Sequence, residues 1–359
     1  MIRSLQLLPA ILLAASTVAA PPAVAADEVA ANSVAEKYAA LLERDYVYPE
    51  TGKRYAAAIR AAIASGRYTM LTGEALGAAI DADVAAVAPD GHLRVRIPEG
   101  AAKPGEAAPT RYPPRVPIEQ PGWIAPGIAF VRFNIFPDDA AVTAAAEKFM
   151  ADHADAKAII FDIRTHGGGG LDQMDVIFPW LFAEPTRLVT MATRASVDAE
   201  GGSPIDGIAS LRTVKGDAGM VAREHWVTPN ADPRLRDAKI YVLTSGGTAS
   251  AAEHFSLAMK HTGRGTLVGA PTAGANHFGR GEELGGGYGA FIPVGRTYDP
   301  ATGKDWEGDG IAPDIAVAPA EALLRVLTDL GIEPDEAERL SEAHMPSRPM
   351  ERRKPRPAR

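Results

Sequence analysis

The 359-residue chain contains no cysteine. This absence excludes disulfide bonds, thiolate nucleophiles, zinc–thiolate sites and iron–sulfur clusters. Aromatic residues are also few, at 6% of the chain, so we expect Ala-rich helices with small side chains. Beyond residue 26, no apolar run reaches the length of about 18 residues that a membrane-spanning helix needs. The mature chain is therefore predicted to have no integral membrane segment.

The chain also lacks a net positive charge. The chain has 37 Lys and Arg against 45 Asp and Glu, which gives a formal net charge of −8. A protein that binds the nucleic-acid backbone needs the opposite sign, so nucleic acid is not an expected partner. Residues 347–359 are the exception, because they mix Pro with Arg and have no apolar period. We expect this basic tail to be disordered.

The first 26 residues have the features of an export signal. Arg3 precedes the apolar run 5–15, and a small-x-small sequence follows at 23–26. These three features together are typical of a secretory signal peptide. We predict cleavage near Ala25 or Ala26 and export of the mature protein to the periplasm or the medium.

Residues 27–98 predict a small domain of three helices. Ser33 and Glu36 match the capping-box pattern, in which the two residues satisfy each other's backbone N–H groups, so a helix is expected to begin at Ser33. The predicted segments are helices over 33–45, 51–65 and 74–87, a strand over 92–97, and a Pro- and Gly-rich linker over 99–122.

From residue 123 onward, predicted strands and helices alternate, which indicates an α/β domain over 123–330 with a largely parallel sheet. Much of 171–235 is predicted to be irregular and to shape a pocket, and 331–359 to hold a C-terminal helix and the basic tail. The predicted strands are 128–133, 158–164, 239–244, 266–268 and 289–293, and the predicted helices are 138–153, 171–182 and 249–260.

Ser250 lies where a predicted buried strand passes through a glycine-containing turn into a helix. Unpaired backbone N–H groups and the helix dipole at such a position stabilise both an oxyanion and an attacking alkoxide. Ser250 and Glu253 also match a capping box, in which Ser250 would only hold the start of the helix. The segment by itself leaves both roles open.

Four consecutive glycines, 167–170, follow the predicted strand 158–164. Glycine lets backbone N–H groups approach a ligand closely. The loop lacks the Gly-Lys-Ser/Thr sequence of a phosphate-binding loop, which favours an oxyanion hole over a nucleotide site. A tight turn is the alternative, although four glycines exceed what a turn requires.

The candidate general bases are histidines. His92 begins a predicted strand, His277 lies in a glycine-rich segment, and His254 is one helical turn after Ser250. Each of them alone also fits a structural role. The spacing His-Glu-x-x-His is absent and the acids of 305–314 miss the calcium-loop pattern, so no metal site is predicted.

Taken in order, five segments resemble motifs of the S41 serine peptidases, a family that includes the C-terminal processing proteases, the tricorn core protease and the interphotoreceptor retinoid-binding-protein modules. The resemblance covers about residues 30–325. The segments are Tyr46-Val47-Tyr48-Pro49-Glu50, Asp90-Gly91-His92, Asp162-Ile163-Arg164-Thr165-His166-Gly167-Gly168-Gly169, Thr248-Ala249-Ser250-Ala251-Ala252-Glu253 and Glu307-Gly308-Asp309-Gly310-Ile311-Ala312-Pro313-Asp314.

The resemblance implies a ClpP/crotonase-like β/α core behind the N-terminal three-helix domain. It also implies a catalytic set in which Ser250 is the nucleophile, His92 is the general base and Glu307 is the carboxylate that orients it. His277 is the alternative base.

The oxyanion hole implied by the resemblance uses backbone N–H groups of Gly167 or Gly168 and of Ala251. Processing proteases place a lysine 25 residues after their serine, and this position here is Ala275. No segment fits the PDZ domain that those proteases usually carry. The resemblance is therefore to the tricorn-like branch.

These patterns together predict an exported serine-type peptidase that acts on a peptide or protein substrate by acyl transfer and uses no cofactor. The alternative is a non-catalytic protein that binds apolar ligands or peptides in the same cleft, as the retinoid-binding relatives do. The intact serine, histidine and glutamate residues favour the enzyme.

Overall fold

The computed structural model describes residues 23–97 and 115–351. Residues 1–22 of the predicted signal peptide, most of the predicted linker and the end of the basic tail lie outside the described residues. Within them, no helix combines the length and the apolar character needed to cross a membrane.

The described chain is a mixed α/β structure, as predicted. The α-helices are α1 (Ala23–Asp45), α2 (Pro49–Ala64), α3 (Gly73–Val87), α4 (Ala140–Asp152), α5 (Asp172–Ile177), α6 (Ala195–Ala199), α7 (Ala251–His261), α8 (Ala322–Asp329) and α9 (Pro334–Ala343). The strands are β1 (Val95–Arg96), β2 (Ile118–Ala125), β3 (Ile128–Phe133), β4 (Ala158–Asp162), β5 (Thr186–Arg194), β6 (Leu211–Val214), β7 (Met220–Val227), β8 (Lys239–Thr244), β9 (Thr266–Gly269), β10 (His277–Gly285), β11 (Tyr288–Tyr298) and β12 (Ile315–Ala316).

A largely parallel sheet forms the centre of the α/β domain, in the strand order β12-β9-β8-β4-β3-β2. Only the β2–β3 pair is antiparallel. Every residue of β3 and β4 is buried, which is why these strands are nearly continuous apolar runs. Side chains on one face, such as Phe161, pack against α4, α5 and α7, and those on the other, such as Ile160, pack against α8 and α9.

A second, antiparallel sheet has the order β1-β11-β5-β7-β6, with β10 also paired to β11. The expectation of irregular chain over much of 171–235 was wrong, because β5, β6 and β7 lie there. These strands pair with one another and with the distant β11, and such long-range pairing leaves a weak local signal.

The three N-terminal helices pack on this second sheet. Apolar side chains of α1, α2 and α3 share a buried cluster with residues of β10 and β11, including Leu284 and Ile292. The chain leaving α3 is thereby directed to the start of β10. The turn at Asp90 is consequently placed beside His277.

Among the boundaries that differ from the sequence prediction, three lie in the N-terminal part of the chain. Helix α1 begins at Ala23, so Ser33 lies inside a helix rather than at its start, because Ala-rich sequence propagates a helix readily. The strand predicted over 92–97 shortens to Val95–Arg96, and β2 begins at Ile118, inside the predicted linker.

Candidate active site

Ser250 lies at the junction between β8 and α7 in an unusual backbone conformation. Its φ is 56° and its ψ is −116°, whereas a residue that caps a helix ordinarily has an extended backbone. Such a conformation in a non-glycine residue costs about 1–3 kcal/mol and is concentrated at functional sites. Strained strand-to-helix turns expose the nucleophile in other hydrolases. A capping role alone requires no such strain.

The capping box predicted around Ser250 is present, and its acid also binds a distant loop. Glu253 is buried, and its carboxylate accepts the Ser250 N–H at 2.9 Å. It also accepts the N–H groups of Gly274 and Ala275 at 2.7 and 2.8 Å, and the Thr272 hydroxyl at 2.6 Å. Burial raises the pKa of Glu253, while these four donors favour its charged form.

The glycine loop 167–170 lies directly against Ser250. Gly168 and Gly169 have φ values of 112° and 133°, which side-chain-bearing residues rarely adopt. A Cβ on Gly168 would lie 3.0 Å from the Ser250 Cβ, and one on Gly169 only 1.9 Å from the Phe136 carbonyl oxygen. The loop therefore requires glycine at both positions and presents backbone to the nucleophile.

The three predicted oxyanion donors differ in their present hydrogen bonds. The Gly167 N–H donates to the Asn134 carbonyl at 2.9 Å, and the Gly168 N–H donates to His166 Nδ1 at 3.1 Å. Burial lowers the pKa of His166 to about 3, so its ring is neutral and Nδ1 can accept this bond. Ala251 is the first residue of α7, so its N–H has no acceptor within the helix.

A buried ion-pair network fixes the strand end that leads into this loop. Asp162 accepts hydrogen bonds from Arg132 and Arg164 at 2.8–2.9 Å, and all three side chains are at most 3% exposed. Burial alone would raise the pKa of Asp162, but the two guanidinium groups hold it below its ordinary value. The network gives the Asp-x-Arg sequence before the glycines a structural role.

Asp90 lies at the centre of a histidine pair. His277 Nδ1 is 2.8 Å from Asp90 Oδ2, and His92 Nδ1 is 3.5 Å from Asp90 Oδ1. The side chains of Asp90 and His277 are 1% and 2% exposed, and that of His92 is 16% exposed. Within the described chain, the buried Nε2 of His277 has no hydrogen-bond partner. This imidazole therefore has a carboxylate on one nitrogen and a second nitrogen able to accept a proton.

Burial and hydrogen bonding act in opposite directions on these groups. Burial alone would raise the pKa of Asp90, but the hydrogen bond with His277 and the nearby His92 imidazole hold it well below the ordinary value. Burial alone would lower the pKa of His92, but Asp90 more than offsets this and the pKa of His92 is raised. Asp90 is consequently an anion at neutral pH.

Two tyrosines of the Tyr46–Glu50 segment enclose the pair. The Tyr46 hydroxyl donates to Asp90 Oδ2 at 2.8 Å. The rings of Tyr46 and Tyr48 stand edge-on to His277, with centroids 6.2 and 5.5 Å away. The segment therefore shields the Asp90–His277 pair from water.

Glu307 is near the pair but does not bond to a histidine ring. Its Oε2 accepts the N–H groups of Asn276 at 2.7 Å and His277 at 3.3 Å, and lies 3.7 Å from His277 Nδ1. The acid in hydrogen-bond contact with a site histidine is Asp90. That Glu307 orients His92 stays a prediction. Glu307 fixes the backbone that carries His277.

Glu253 and Glu307 together join the nucleophile to the histidine pair. Glu253 Oε2 accepts the N–H groups of both Ser250 and Ala275, so the two nitrogens share one oxygen. Two residues after Ala275, the N–H of His277 donates to Glu307. The start of β10 is thereby held beside the turn that carries Ser250.

Sequence reasoning did not assign a role to Asp90 or to the Glu253 carboxylate beyond capping. Asp90 had one available signal, its position two residues before His92, and its partner His277 is 187 residues away. His254 is not brought into this site. Its Nε2 lies 2.8 Å from His225 Nδ1, in a separate buried cluster that also includes Asp175.

Comparison with known proteins identifies the family of the chain. The sequence profile of the family described as "Peptidase family S41" matches residues 127–317, more than half of the chain. The protein therefore belongs to peptidase family S41.

Among curated proteins, the chain is 29% identical over 188 residues to carboxyl-terminal-processing peptidase 3, chloroplastic, of Arabidopsis thaliana. It is 26% identical over 205 residues to the chloroplastic C-terminal processing peptidase of Tetradesmus obliquus. These matches cover 52% and 55% of this chain but only 31% and 37% of the relatives. The chain thus spans about a third of the length of the curated relatives.

A solved protein from Parabacteroides merdae has a similar fold. The two chains superpose with a TM-score of 0.54 at 18% identity, over 85% of this chain and 96% of that one. At this identity the likeness concerns the fold alone.

Proposed function

We propose that the protein is a serine-type peptidase of the tricorn-like branch in which Ser250 is the nucleophile. The observation that carries the proposal is the strained backbone of Ser250, held against the glycine loop and tied through Glu253 to the segment that bears His277. A serine hydroxyl needs such surroundings, because it is a weak nucleophile until a neighbouring base takes its proton.

We assign the general base to His277 and the orienting carboxylate to Asp90. The 2.8 Å contact between Asp90 Oδ2 and His277 Nδ1 fixes the tautomer in which Nε2 is free to accept a proton. His92, the base implied by the family resemblance, is farther from Asp90 and more exposed. In this assignment His92 adjusts the charge around Asp90 and does not take the serine proton.

The reaction proceeds by acyl transfer. The Ser250 hydroxyl attacks the scissile carbonyl while its proton moves to His277 Nε2, and Asp90 stabilises the imidazolium that forms. The proton is then given to the leaving amine, and water hydrolyses the acyl-enzyme through the same base.

The tetrahedral oxyanion is stabilised by backbone N–H groups. Ala251 supplies one, at the start of α7. In this proposal Gly167 or Gly168 supplies the second, and binding of a substrate would exchange the present bond of Gly168 to His166 for one to the oxyanion. Catalytic hydrogen bonds commonly tighten only when substrate is bound.

The substrate class follows from the family and is a peptide or a protein. Export to the periplasm or the medium is part of the proposal and is supported by the signal-like sequence 1–26. N-terminal sequencing of protein from each cell fraction tests it. A mature chain beginning at Ala26 or Asp27 is expected outside the cytoplasm.

A fluorophosphonate probe separates this peptidase from a non-catalytic binder on the same fold, because only an activated serine reacts. We expect one adduct, mapped by mass spectrometry to Ser250 and absent from Ser250→Ala. Ser256→Ala is the matched control, since that hydroxyl lies on the same helix and donates to the Ala252 carbonyl. Failure of the folded wild type to react would favour the binder.

A further inference from the structure

The cluster around Asp90 contains more ligand atoms than a general base needs. Asp90, His92, His277 and Glu307 each offer one nitrogen or oxygen, and these atoms all lie within 4.8 Å of one another. We propose that these four residues bind one divalent transition-metal ion, with zinc as the reference ion, and that the bound ion reversibly inhibits the enzyme. The inhibitory part rests on the proposed function, whereas the binding part does not.

The distances within the cluster fit one small ion. Ligands placed about 2.0–2.2 Å from a tetrahedral zinc ion are about 3.3–3.6 Å apart. The corresponding separations here are 2.8 Å from His277 Nδ1 to Asp90 Oδ2, 3.7 Å from His277 Nδ1 to Glu307 Oε2, and 3.5 Å from His92 Nδ1 to Asp90 Oδ1. All four ligand atoms lie within 4.8 Å of one another, so side-chain movements of about 1 Å would bring them to the separations of a zinc site.

The orphaned nitrogen of His92 is an independent observation. His92 Nδ1 is buried and has no hydrogen-bond partner in the described chain, although it faces the Asp90 carboxylate. A buried polar atom without a partner carries a free-energy penalty. A metal ion would satisfy this nitrogen and use the negative charges of Asp90 and Glu307.

The donor set also selects the class of ion. Two imidazoles and two carboxylates suit zinc and its first-row neighbours, whereas calcium and magnesium prefer oxygen ligands alone. The sequence contains no short metal-binding motif such as His-Glu-x-x-His. A motif search cannot detect this cluster, because its four residues come from three distant segments that only the fold brings together.

Metal binding would remove the base from the reaction. When the Nδ1 lone pair of a neutral His277 binds the ion, its proton moves from Nδ1 to Nε2. Nε2 is the atom that must accept the Ser250 proton in the proposed mechanism. The loaded enzyme therefore lacks an available base until the ion leaves.

The binding test uses the full chain, freed of metal with a chelator and titrated with zinc chloride by calorimetry. We expect one ion per chain and a Kd of about 1 µM or lower. His92→Gln and Glu307→Gln should each raise the Kd at least tenfold. The matched control is His261→Asn, because His261 pairs with Asp299 outside this cluster and should bind no zinc of its own.

Circular dichroism checks that each variant folds, and the absorption spectrum of the Co²⁺-loaded wild type reports nitrogen and oxygen ligation without any substitution. No saturable binding to the wild type would overturn the proposal. The same holds if the two cluster variants bind as tightly as His261→Asn.

The inhibition test measures fluorophosphonate labelling of Ser250 with and without zinc. At ten times the Kd we expect labelling about tenfold slower, restored by chelator, and no such slowing in His92→Gln. Faster labelling with zinc would overturn the inhibitory part. A metal-free wild type that does not label would instead remove the proposed function, while the binding result would stand.

Discussion

The two halves of the candidate site are built in different ways. The nucleophile half, Ser250 and the glycine loop, follows the ends of two neighbouring parallel strands, β8 and β4, and is fixed mainly by backbone geometry. The base half joins a turn after α3 to the start of β10, and its key contact, Asp90 to His277, spans 187 residues. Backbone features are visible in short sequence motifs, whereas this side-chain contact exists only in the folded chain.

This difference predicts how each half responds to substitution. Substitutions in the nucleophile half should abolish catalysis with little loss of stability, because its strained backbone serves activity and does not stabilise the fold. Changes in the base half should affect chemistry and folding together, since they leave buried charges without partners.

The largest effect is expected at Ser250. Ser250→Ala should reduce peptide hydrolysis at least 10⁴-fold, because the other members cannot act without the nucleophile. Ser250→Gly should be equally inactive but more stable than Ser250→Ala, by about 1 kcal/mol, since glycine tolerates the positive φ. Activity assays measure the loss of hydrolysis, and urea denaturation measures the difference in stability between the two variants. A Ser250→Gly chain less stable than the alanine variant would remove the strain argument.

The next largest effect separates the two histidines. His277→Ala should lower kcat by about 10³–10⁴, as expected for loss of a general base. His92→Ala should lower it by about tenfold, through the charge balance around Asp90. Steady-state kinetics on a fluorogenic peptide rank them. The opposite ranking would return the role of base to His92.

Glu253→Gln tests the connection between the halves. The amide keeps the size of the side chain, but its NH₂ group faces donors where a carboxylate oxygen accepted them. We expect a loss of about 1–3 kcal/mol in the free energy of unfolding and a fall in kcat larger than the loss of folded protein. Unchanged kinetics in a folded variant would show that the tie to Ala275 does not position the base.

The smallest effect is a pH dependence of stability at His92. The pKa of His92 is raised in the folded protein, so its contribution to stability is complete below the unfolded pKa of about 6.5 and is lost as pH rises through the folded pKa. The destabilisation caused by His92→Gln should therefore be greater at pH 6 than at pH 9. Urea denaturation at the two pH values checks this, and a reversed trend would contradict the role of Asp90.

Most of the parallel core follows from the sequence. The strands 128–133 and 239–244 were predicted with the bounds that the structure has, because runs buried on both faces are nearly continuous and apolar. The helix after Ser250 was also predicted, from its capping box and glycine turn.

The antiparallel sheet, and the identity of the carboxylate that contacts the site histidine, could not be predicted from the sequence. Strands β5, β6 and β7 depend on partners far along the chain, so local patterns left them irregular. The family resemblance pointed to Glu307, and only packing of the helical domain on β10 reveals that Asp90 lies closer to the histidine ring.

The central claim is that Asp90 and His277 act as one unit on Ser250, and a double-mutant cycle measures this directly. The rate of fluorophosphonate labelling is determined for wild type, Asp90→Asn, His277→Ala and the double variant, each checked for folding. If the pair acts as a unit, the double variant labels as slowly as His277→Ala alone, because Asp90 has no imidazole left to orient. If the fold-reductions in labelling rate of the two single variants multiply in the double variant, the two residues act independently, which would contradict the claim that they act as one unit.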